Sequence, residues 1–393
     1  MAQVEGGVFG ALGEQPADPL LALIAAYRDD PRTDKIDLGV GVYRDAAGNT
    51  PVMRAVKAAE KRLAERQETK AYLGSEGDMG FVRHVAGLAL GPVDEAGFAG
   101  VQTPGGSGAL RLAAELIAAA RPQAKVWVGT PTWPNHGPIA KSAGLHVETY
   151  PYFDATTQTL LFDRVMEAAG RAIAGDVFLL HGCCHNPTGA DLSADQWREV
   201  ADLLAARGVL PLLDTAYQGL GRGMEQDAEG VRIVAARVPE LLLAYSCNKN
   251  FALYRERTGA LAVLTSPARA RAVQSNLLAL ARTNWSMPPD HGAAIVRTIL
   301  EDRELRADWA AELDAMRDRL RSVRHALARE LPAIGAVAEQ SGLFALLPVT
   351  NAVGKLKDEH GIYMAPSGRV NLAGLNEKTV PVLARALAPH LPG

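Results

Sequence analysis

One lysine stands apart in a chain that otherwise carries its positive charge on arginine. The sequence has 10 lysines and 31 arginines, and Lys249 is the only lysine between Lys141 and Lys355. Arginine stays protonated in proteins, whereas a partly buried lysine can lose its proton and act as a nucleophile or Schiff-base former. Lys249 follows an apolar run, residues 241–245, that is typical of a strand. This position predicts covalent chemistry, although a solvated loop lysine fits the same facts.

Three further features supply the groups that a phosphate-bearing cofactor needs. A glycine-rich turn, residues 105–108, precedes a predicted helix over residues 109–119, and the N–H groups at a helix N-terminus can hold a phosphate. Arg257 can pair with a phosphate through two bonds, and Asp214 ends an apolar run. The turn alone is a weak signal because it lacks the full P-loop or dinucleotide pattern. Together with Lys249, these features are the parts of a site for pyridoxal phosphate.

Short apolar runs alternate with helical segments between about residues 100 and 265, which is typical of a parallel sheet wrapped by helices. Ser193 and Gln196 are spaced as a capping box for a helix over residues 194–207, with Gly208 at its C-cap. Ligands of open α/β sheets bind beyond the carboxyl ends of the strands, so Asp214 is a candidate site residue. The predicted strands are residues 126–128, 177–180, 209–213, 241–245 and 260–264.

The last third of the chain has a different pattern. It is helical and rich in Arg and Glu, with one amphipathic stretch over residues 295–330 that is broken near Pro332. A second, smaller unit is predicted to begin near residue 311 and to close with residues 368–374 and a final helix. No internal repeat or low-complexity linker marks a boundary.

Composition excludes several classes of function. The 393 residues carry a net charge of −3 without a block of either sign, which argues against nucleic-acid and membrane partners. Hydrophobic residues at 48% and charged residues at 22% are ordinary for a globular protein. There is no signal-peptide pattern and no apolar run of about 18 residues, so the sequence predicts a soluble, cytoplasmic protein that acts on small molecules.

The three cysteines cannot form a disulfide framework. His181, Cys183, Cys184 and His185 form a short tract with metal-binding residue types. The tract follows the predicted strand over residues 177–180, where alternate side chains point to opposite faces. We therefore predict no metal site.

Seven segments occur in a fixed order between residues 37 and 374. They are DLGVGVYR at 37–44, YLG at 72–74, TPGGSGALR at 103–111, PTWPNH at 131–136, HNPTG at 185–189 with DTAYQG at 214–219, SCNKNFALYRER at 246–257, and GRVNLAG at 368–374. In order and spacing they resemble the aspartate and aromatic amino-acid aminotransferases of fold type I.

This resemblance covers almost the whole chain and implies its architecture. The fold class is then α/β: a mostly parallel central sheet wrapped by helices, with a smaller α/β domain built from both chain ends. The implied division is an N-terminal arm at 1–14, a small domain of 15–47 with 311–393, and a large domain at 48–310 that binds pyridoxal phosphate.

The resemblance also implies a role for each cofactor residue. Lys249 holds the cofactor covalently and moves a proton, and Asp214 pairs with the protonated pyridine nitrogen. Asn186 and Tyr217 hydrogen-bond the phenolic oxygen of the cofactor. The implied catalytic residues are Lys249, Asp214 and Tyr217. The other residues of the implied cofactor site are Gly106, Ser107, Trp133, Ser246 and Arg257, together with His136, which is implied to stand behind Asp214.

Two arginines imply a dicarboxylate substrate. By the same resemblance, Arg369 grips the substrate α-carboxylate, and Arg282 reaches the distal carboxylate of the substrate from the neighbouring subunit. Tyr72 reaches the phosphate of the neighbouring subunit, so the implied active unit is a homodimer with shared sites. Gly41, Trp133 and Asn186 complete the implied substrate-binding set.

The chain departs from the family pattern near the lysine and in the substrate pocket. Asn248 and Ala252 replace a usual serine and a usual glycine, while Met287 and Ala71 stand where aspartate-specific members have asparagine. The last two make the pocket less polar, and Ser107 replaces a threonine common in aspartate-specific members. These changes resemble the branch that accepts aromatic substrates.

The sequence therefore predicts an aminotransferase that moves the α-amino group of aromatic amino acids, and of aspartate, to 2-oxoglutarate in two half-reactions. Its partners are then amino acids, 2-oxo acids and a second copy of the chain. Two alternatives stay open. One is a strict aspartate aminotransferase, since Arg282 is retained, and the other is a protein that binds pyridoxal phosphate but has lost turnover.

Overall fold

The computed structural model describes residues 8–15 and 19–391, and residues 1–7 of the predicted arm lie outside the described residues. The helices are α1 Pro19–Asp29, α2 Arg54–Arg66, α3 Met79–Leu90, α4 Gly105–Ala120, α5 His136–Ser142, α6 Phe162–Arg171, α7 Ala194–Arg207, α8 Met224–Asp227, α9 Glu229–Ala235, α10 Pro267–Asn284, α11 His291–Glu301, α12 Arg303–Glu330, α13 Val353–His360 and α14 Thr379–Leu387. None of the described helices is long and apolar enough to cross a bilayer.

The strands are β1 Ile36–Asp37, β2 Phe98–Pro104, β3 Lys125–Thr130, β4 His146–Pro151, β5 Phe153–Asp154, β6 Thr159–Leu160, β7 Val177–His181, β8 Leu210–Thr215, β9 Leu241–Ser246, β10 Thr258–Leu264, β11 Phe344–Leu346, β12 Ile362–Tyr363 and β13 Arg369–Asn371. Seven of them form the central sheet in the order β2-β10-β9-β8-β7-β3-β4. Every neighbouring pair is parallel except the two that involve β10.

The sheet order brings three carboxyl-terminal strand ends together. In the parallel register, His181 at the end of β7 pairs with Asp214 of β8, and Thr215 of β8 pairs with Tyr245 of β9. Ser246 closes β9 at the same edge. Strand-end residues that are far apart in the chain therefore lie side by side, as open parallel sheets require of their ligand sites.

Three hydrophobic clusters support this arrangement. Two of them draw on residues of the central sheet and its helices, and together they hold strand and helix residues from Tyr43 to Ala373. A third cluster joins Ile36 and Leu38 to apolar residues between 323 and 387, including Ile362, the partner of Ile36 in the two-stranded pair β1–β12. The predicted boundaries at residues 47 and 311 stay a prediction.

The helix over residues 194–207 forms as predicted. Ser193 Oγ accepts the N–H of Gln196, the Gln196 side chain accepts the N–H of Ser193, and Gly208 has the left-handed φ of 63° expected of a C-cap glycine.

Two helix predictions are wrong in detail. The helix predicted over residues 109–119 begins at Gly105, so the glycine-rich turn is itself the first turn of α4. The stretch over residues 295–330 is two helices, because Asp302 leaves the helical region with φ −101° and ψ 121°. Its carboxylate accepts the N–H groups of Glu304 and Leu305 at 2.9 Å and starts a new helix.

Candidate active site

A cavity opens at the carboxyl edge of the central sheet. It lies between the first turn of α4, the ends of β7 and β8, and the segment that follows β9. Its lining residues are Gly106, Ser107, Leu110, Trp133, His181, Asn186, Asp214, Ala216, Tyr217, Ser246, Asn248 and Lys249.

Lys249 is partly buried in this cavity. Burial and the charge of Arg257 lower the pKa of its amine to about 8, although Asp214 opposes the shift. The ammonium lies 5.6 Å from the ring centroid of Tyr217 and 5.4 Å from that of Tyr254. A lysine with a lowered pKa has more neutral amine at physiological pH, which is the form that attacks carbonyl carbon.

Asp214 is buried and accepts a hydrogen bond from His136, which is in turn hydrogen-bonded to Thr132. His136 Nε2 lies 3.0 Å from Asp214 Oδ2, and Thr132 Oγ1 lies 2.8 Å from His136 Nδ1. Burial alone raises the pKa of Asp214, but the hydrogen bond from His136 and nearby positive charges outweigh it and lower the pKa. The carboxylate therefore stays ionised, and among the described residues its Oδ1 has no donor.

Asn186 and Tyr217 are hydrogen-bonded neighbours in the lining of the cavity. Asn186 Nδ2 donates to the Tyr217 hydroxyl at 3.4 Å, and Asn186 Oδ1 is buried without a partner among the described residues. Burial raises the pKa of Tyr217, so its hydroxyl keeps its proton and can donate it in a hydrogen bond. Trp133 borders the same space and meets His136 edge to face at 5.3 Å.

One end of the cavity is shaped for an anion. A Cβ added to Gly105 would lie 2.8 Å from Arg257 Nη2, and one added to Gly106 would lie 3.0 Å from Ser246 Cβ. Gly105 has φ +69°, a conformation that favours glycine, and both glycines belong to the N-terminal turn of α4, whose first N–H groups have no acceptor within the helix. Ser107 lines the cavity beside them. Arg257 donates to the Tyr254 carbonyl at 3.1 Å and forms no ion pair among the described residues.

Arg369 is a second arginine without a carboxylate partner among the described residues. Its Nη2 donates to the Gly39 carbonyl at 3.1 Å, while its Nε is buried without a partner. The guanidinium lies 4.7 Å from the ring centroid of Phe344. Burial lowers its pKa, and its charge contributes to the lowered pKa of Lys249. Gly41 lies against the same ring, where an added Cβ would be 3.0 Å from Phe344 Cζ.

Tyr72 and Arg282 do not line this cavity. Tyr72 is 91% exposed, and Arg282 is an exposed residue that donates to Ser286 Oγ. The two segments touch, because the N–H of Leu73 lies 3.1 Å from Met287 Sδ. Both residues that the sequence assigns to a neighbouring subunit therefore lie on one exposed surface, which we call the Tyr72–Arg282 surface.

Sequence reasoning missed two residues at the site. The sequence places His181 only in the metal tract, but the side chain lines the cavity, and burial lowers its pKa to about 3. His181 ends β7 opposite Asp214 of β8, so its place after a predicted strand is a signal that could have identified it. Phe344 carries no motif, and only the fold brings it between Tyr217 and Arg369.

The metal tract divides between two clusters. His181 lies with His136 and Asp214, whereas Cys183 and Cys184 lie with Asp227, and the ligand atoms within each cluster are within 4.8 Å of one another. His185 instead stacks on Tyr152 at 4.1 Å. The absence of a metal site stays a prediction.

Taken together, these groups can hold a molecule with two anionic ends. Arg257 with the glycine turn serves one end and Arg369 serves the other. Both arginines act on the charge of an amine of lowered pKa, Lys249, and an ionised carboxylate, Asp214, lies near the same amine.

The chain matches the family described as "Aminotransferase class I and II" over residues 33–387. It is 56% identical over 375 residues to the tyrosine aminotransferase of Rhizobium meliloti (strain 1021), a match that covers 94% of this chain and 96% of that protein. It is 43% identical over 397 residues to the aspartate aminotransferase of Escherichia coli (strain K12), covering 98% of this chain and 100% of that protein.

Among solved structures, the chain is similar to the aromatic-amino-acid aminotransferase of Burkholderia pseudomallei, which is covalently bound to pyridoxal phosphate. The TM-score is 0.94 and the identity 39%, covering 98% of this chain and 100% of that one. The predicted α/β fold with its mostly parallel sheet is confirmed.

Proposed function

This chain belongs to the class I and II aminotransferases, and from that premise we propose that it moves the α-amino group of aromatic amino acids, and of aspartate, to 2-oxoglutarate with pyridoxal 5′-phosphate as cofactor. One observation carries the proposal. Two arginines without ion-pair partners among the described residues, Arg257 and Arg369, both act through their charge on an amine of lowered pKa, Lys249. A phosphate-bearing cofactor and an α-carboxylate would together satisfy both charges.

The residues of the cavity fit pyridoxal phosphate. Asp214 is buried and ionised, and its Oδ1 has no donor among the described residues, so it can accept the N–H of a protonated pyridine ring. Gly105 and Gly106 leave space that any Cβ would fill, next to Arg257 and Ser246. A similar protein of known structure is named as covalently bound to this cofactor.

When bound, pyridoxal phosphate supplies an aldehyde for covalent attachment and an aromatic ring that accepts the electron pair left by Cα–H cleavage. Lys249 is proposed to attach the cofactor and then to carry the proton between the substrate Cα and the cofactor. Its lowered pKa suits both tasks, because the amine must be neutral to attack and to accept a proton near pH 7 to 8.

Asp214 is proposed to hold a proton on the pyridine nitrogen. Its free Oδ1 would accept that N–H, while the bond from His136 to Oδ2 fixes the carboxylate and keeps it ionised. Thr132 in turn orients His136. His136 acts through Asp214, so it is a positioning residue.

The remaining cofactor contacts follow from the shape of the cavity. Asn186 and Tyr217 would donate to the phenolic oxygen of the cofactor, and Trp133 would stack on its ring. The phosphate would bind at the first turn of α4, where helix dipole and N–H groups favour an anion. The proposed phosphate ligands are Gly106, Ser107, Ser246 and Arg257.

Arg369 is proposed to bind the α-carboxylate that all amino-acid and 2-oxo-acid substrates share. Its unpartnered Nε and the backing from the Phe344 ring support a forked contact with a planar anion. Gly41, Trp133 and Asn186 would complete the walls around the substrate.

We propose that the protein acts as a homodimer whose sites are completed across the interface. The Tyr72–Arg282 surface supports this, since a tyrosine at 91% exposure and an exposed arginine lie together outside the cavity of their own chain. Tyr72 would then reach the phosphate, and Arg282 the distal carboxylate, of the partner's site. Action in the cytoplasm, without nucleic-acid or membrane partners, stays a prediction.

The preference for aromatic donors is supported by the residues around Arg282. Met287 and Ala71 are less polar than asparagine, so they tether the arginine less firmly and offer apolar contact to a ring. The higher identity to a protein named tyrosine aminotransferase than to one named aspartate aminotransferase agrees with this preference.

A steady-state panel of tyrosine, phenylalanine and aspartate with 2-oxoglutarate tests the proposal. We expect turnover of all three donors, together with a change in the visible absorbance of the bound cofactor when glutamate is added. Turnover of aspartate alone would indicate the strict aspartate enzyme. A bound cofactor whose absorbance does not respond to glutamate would indicate a binding protein without turnover.

A further inference from the structure

Arg324 is a buried arginine outside the cavity. It lies on α12, and its side chain is among the largest fully buried ones, at 1% exposure. Burial lowers the pKa of its guanidinium to about 10, so it stays charged at neutral pH. An apolar side chain of similar volume would often serve a core equally well or better, so this charge points to a role beyond packing.

The donors of Arg324 converge on one short segment. Nη2 lies 2.8 Å from the Ser341 carbonyl, 2.9 Å from that of Gly342 and 2.7 Å from that of Phe344. Nη1 donates to the Val337 carbonyl at 3.1 Å. Hydrogen bonds from a charged donor are stronger than those from a neutral one. The bonds from Arg324 to the backbone carbonyls of segment 341–344 therefore hold this segment against α12.

One side of segment 341–344 contacts the turn that carries Asn186. The N–H of Ser341 donates to the Gly189 carbonyl at 2.7 Å, and the N–H of Gly189 donates to the His185 carbonyl at 2.7 Å. Gly189 has φ +72°, and an added Cβ would lie 2.8 Å from the Ser341 and Phe344 carbonyls and 3.0 Å from Arg324 Nη2. The turn, the segment and the guanidinium are therefore in close contact.

The other side of the segment ends in the ring of Phe344. That ring meets Tyr217 edge to face at 6.0 Å and lies 4.7 Å from the guanidinium of Arg369. Phe344 begins β11, which pairs with β13, so Leu346 lies opposite Arg369 in the register. The Phe344 ring lies next to Arg369 and Tyr217, so a shift of the segment would displace this ring from both of them.

We propose that Arg324 is a positioning residue that holds segment 341–344 so that the Asn186 turn and the Phe344–Arg369 pair keep a fixed relation. The inference rests on the proposed function, which assigns the cofactor to Asn186 and Tyr217 and the substrate α-carboxylate to Arg369. One buried cation thus links the turn that carries a proposed cofactor contact to the proposed site of the substrate carboxylate, and its hydrogen bonds reach only backbone carbonyls of residues 337–344.

The test compares Arg324→Met and Arg324→Lys in the holoenzyme, with Arg319→Met as the matched control. Arg319 lies on the same helix and also donates to backbone carbonyls, those of Ala373 and Leu375, but not to segment 341–344. The measurements are KM and kcat for phenylalanine and glutamate, the pH midpoint of the visible absorbance of the bound cofactor, and the melting temperature.

We expect Arg324→Met to raise KM for both substrates by about tenfold, equally, because both present the same α-carboxylate. We also expect the pH midpoint of the absorbance to rise by about one unit, because looser donors at the phenolic oxygen favour its protonated form. Arg324→Lys, whose ammonium can bond some of the carbonyls, should give changes of the same sign but only about threefold in KM. Arg319→Met should leave both quantities unchanged.

Folded Arg324→Met enzyme with wild-type KM and pH midpoint, and only a lower melting temperature, would overturn the proposal. If that variant does not fold, Arg324→Lys decides, and wild-type values for both quantities would overturn the proposal in the same way. Failure of the proposed function looks different. Wild-type protein would then hold the cofactor without turnover, while the pH midpoint would still report the effect of Arg324.

Discussion

The buried cavity and the Tyr72–Arg282 surface contrast in how complete they are within one chain. In the cavity, the charged groups have surroundings that set their protonation: His136 bonds Asp214, and burial together with Arg257 lowers the pKa of Lys249. On the surface, Tyr72 is 91% exposed and Arg282 bonds only to the nearby Ser286 among the described residues. The groups proposed for proton transfer are thus brought together within a single chain. The groups proposed to bind the distal carboxylate lie outside the cavity of their own chain.

This contrast separates two kinds of requirement. Proton transfer depends on tuned pKa values, and these need the low-dielectric surroundings that the strand ends and α4 create. Substrate choice depends on which charged group contacts the far end of the substrate. An exposed arginine of one subunit can supply that group to the site of the other subunit. Substitutions in the cavity should therefore affect all substrates, whereas substitutions on the surface should affect only some of them.

The largest expected effect is that of Lys249→Ala. It removes both the covalent attachment and the proton carrier, so kcat should fall at least ~10⁴-fold for every substrate. Lys141→Ala, an exposed lysine, is the control and should stay within about twofold of wild type. Borohydride reduction and peptide mapping of the wild-type protein should label Lys249, and a label on another lysine would refute the assignment.

Asp214→Asn should have the next largest effect. The amide cannot hold the pyridine proton by charge, so exchange of the phenylalanine Cα–H in heavy water should slow by about 10³-fold. The cofactor should remain bound, since its phosphate contacts and Lys249 are untouched. Exchange at the wild-type rate in this variant would show that Asp214 has another role.

The sequence predicts a residue of this site when the signal for it lies close to that residue in the chain. Lys249 and Asp214 follow from strand ends and spacing, and the α7 capping box is a local signal that the structure confirms. The break at Asp302 was missed because a side-chain cap outweighs an amphipathic pattern that continues through it. Phe344 could not be foreseen, because its ring meets Tyr217 from a distant part of the chain. Arg324 could not be foreseen because its partners are backbone carbonyls, which leave no pattern of side chains in the sequence.

Arg282→Leu should have the smallest but most selective effect. We expect kcat/KM for aspartate and 2-oxoglutarate to fall more than ~10²-fold, because the distal carboxylate of the substrate loses its charged partner. The kcat/KM for phenylalanine should stay within about tenfold of wild type. Arg369→Leu is the matched comparison and should impair phenylalanine and aspartate alike. A loss for phenylalanine as large as that for aspartate in Arg282→Leu would favour the strict aspartate enzyme.

The most direct test of the contrast is a hybrid dimer of one Lys249→Ala chain and one Arg282→Leu chain, isolated by two affinity tags. If Arg282 acts on the partner's site, the functional Lys249 in the hybrid is served by the intact Arg282 of the Lys249→Ala chain. The kcat/KM for aspartate should then recover to about half the wild-type value per dimer, with one working site of two. Aspartate activity that stays about 10²-fold low, as in the Arg282→Leu homodimer, would show that Arg282 serves its own chain and would contradict the account.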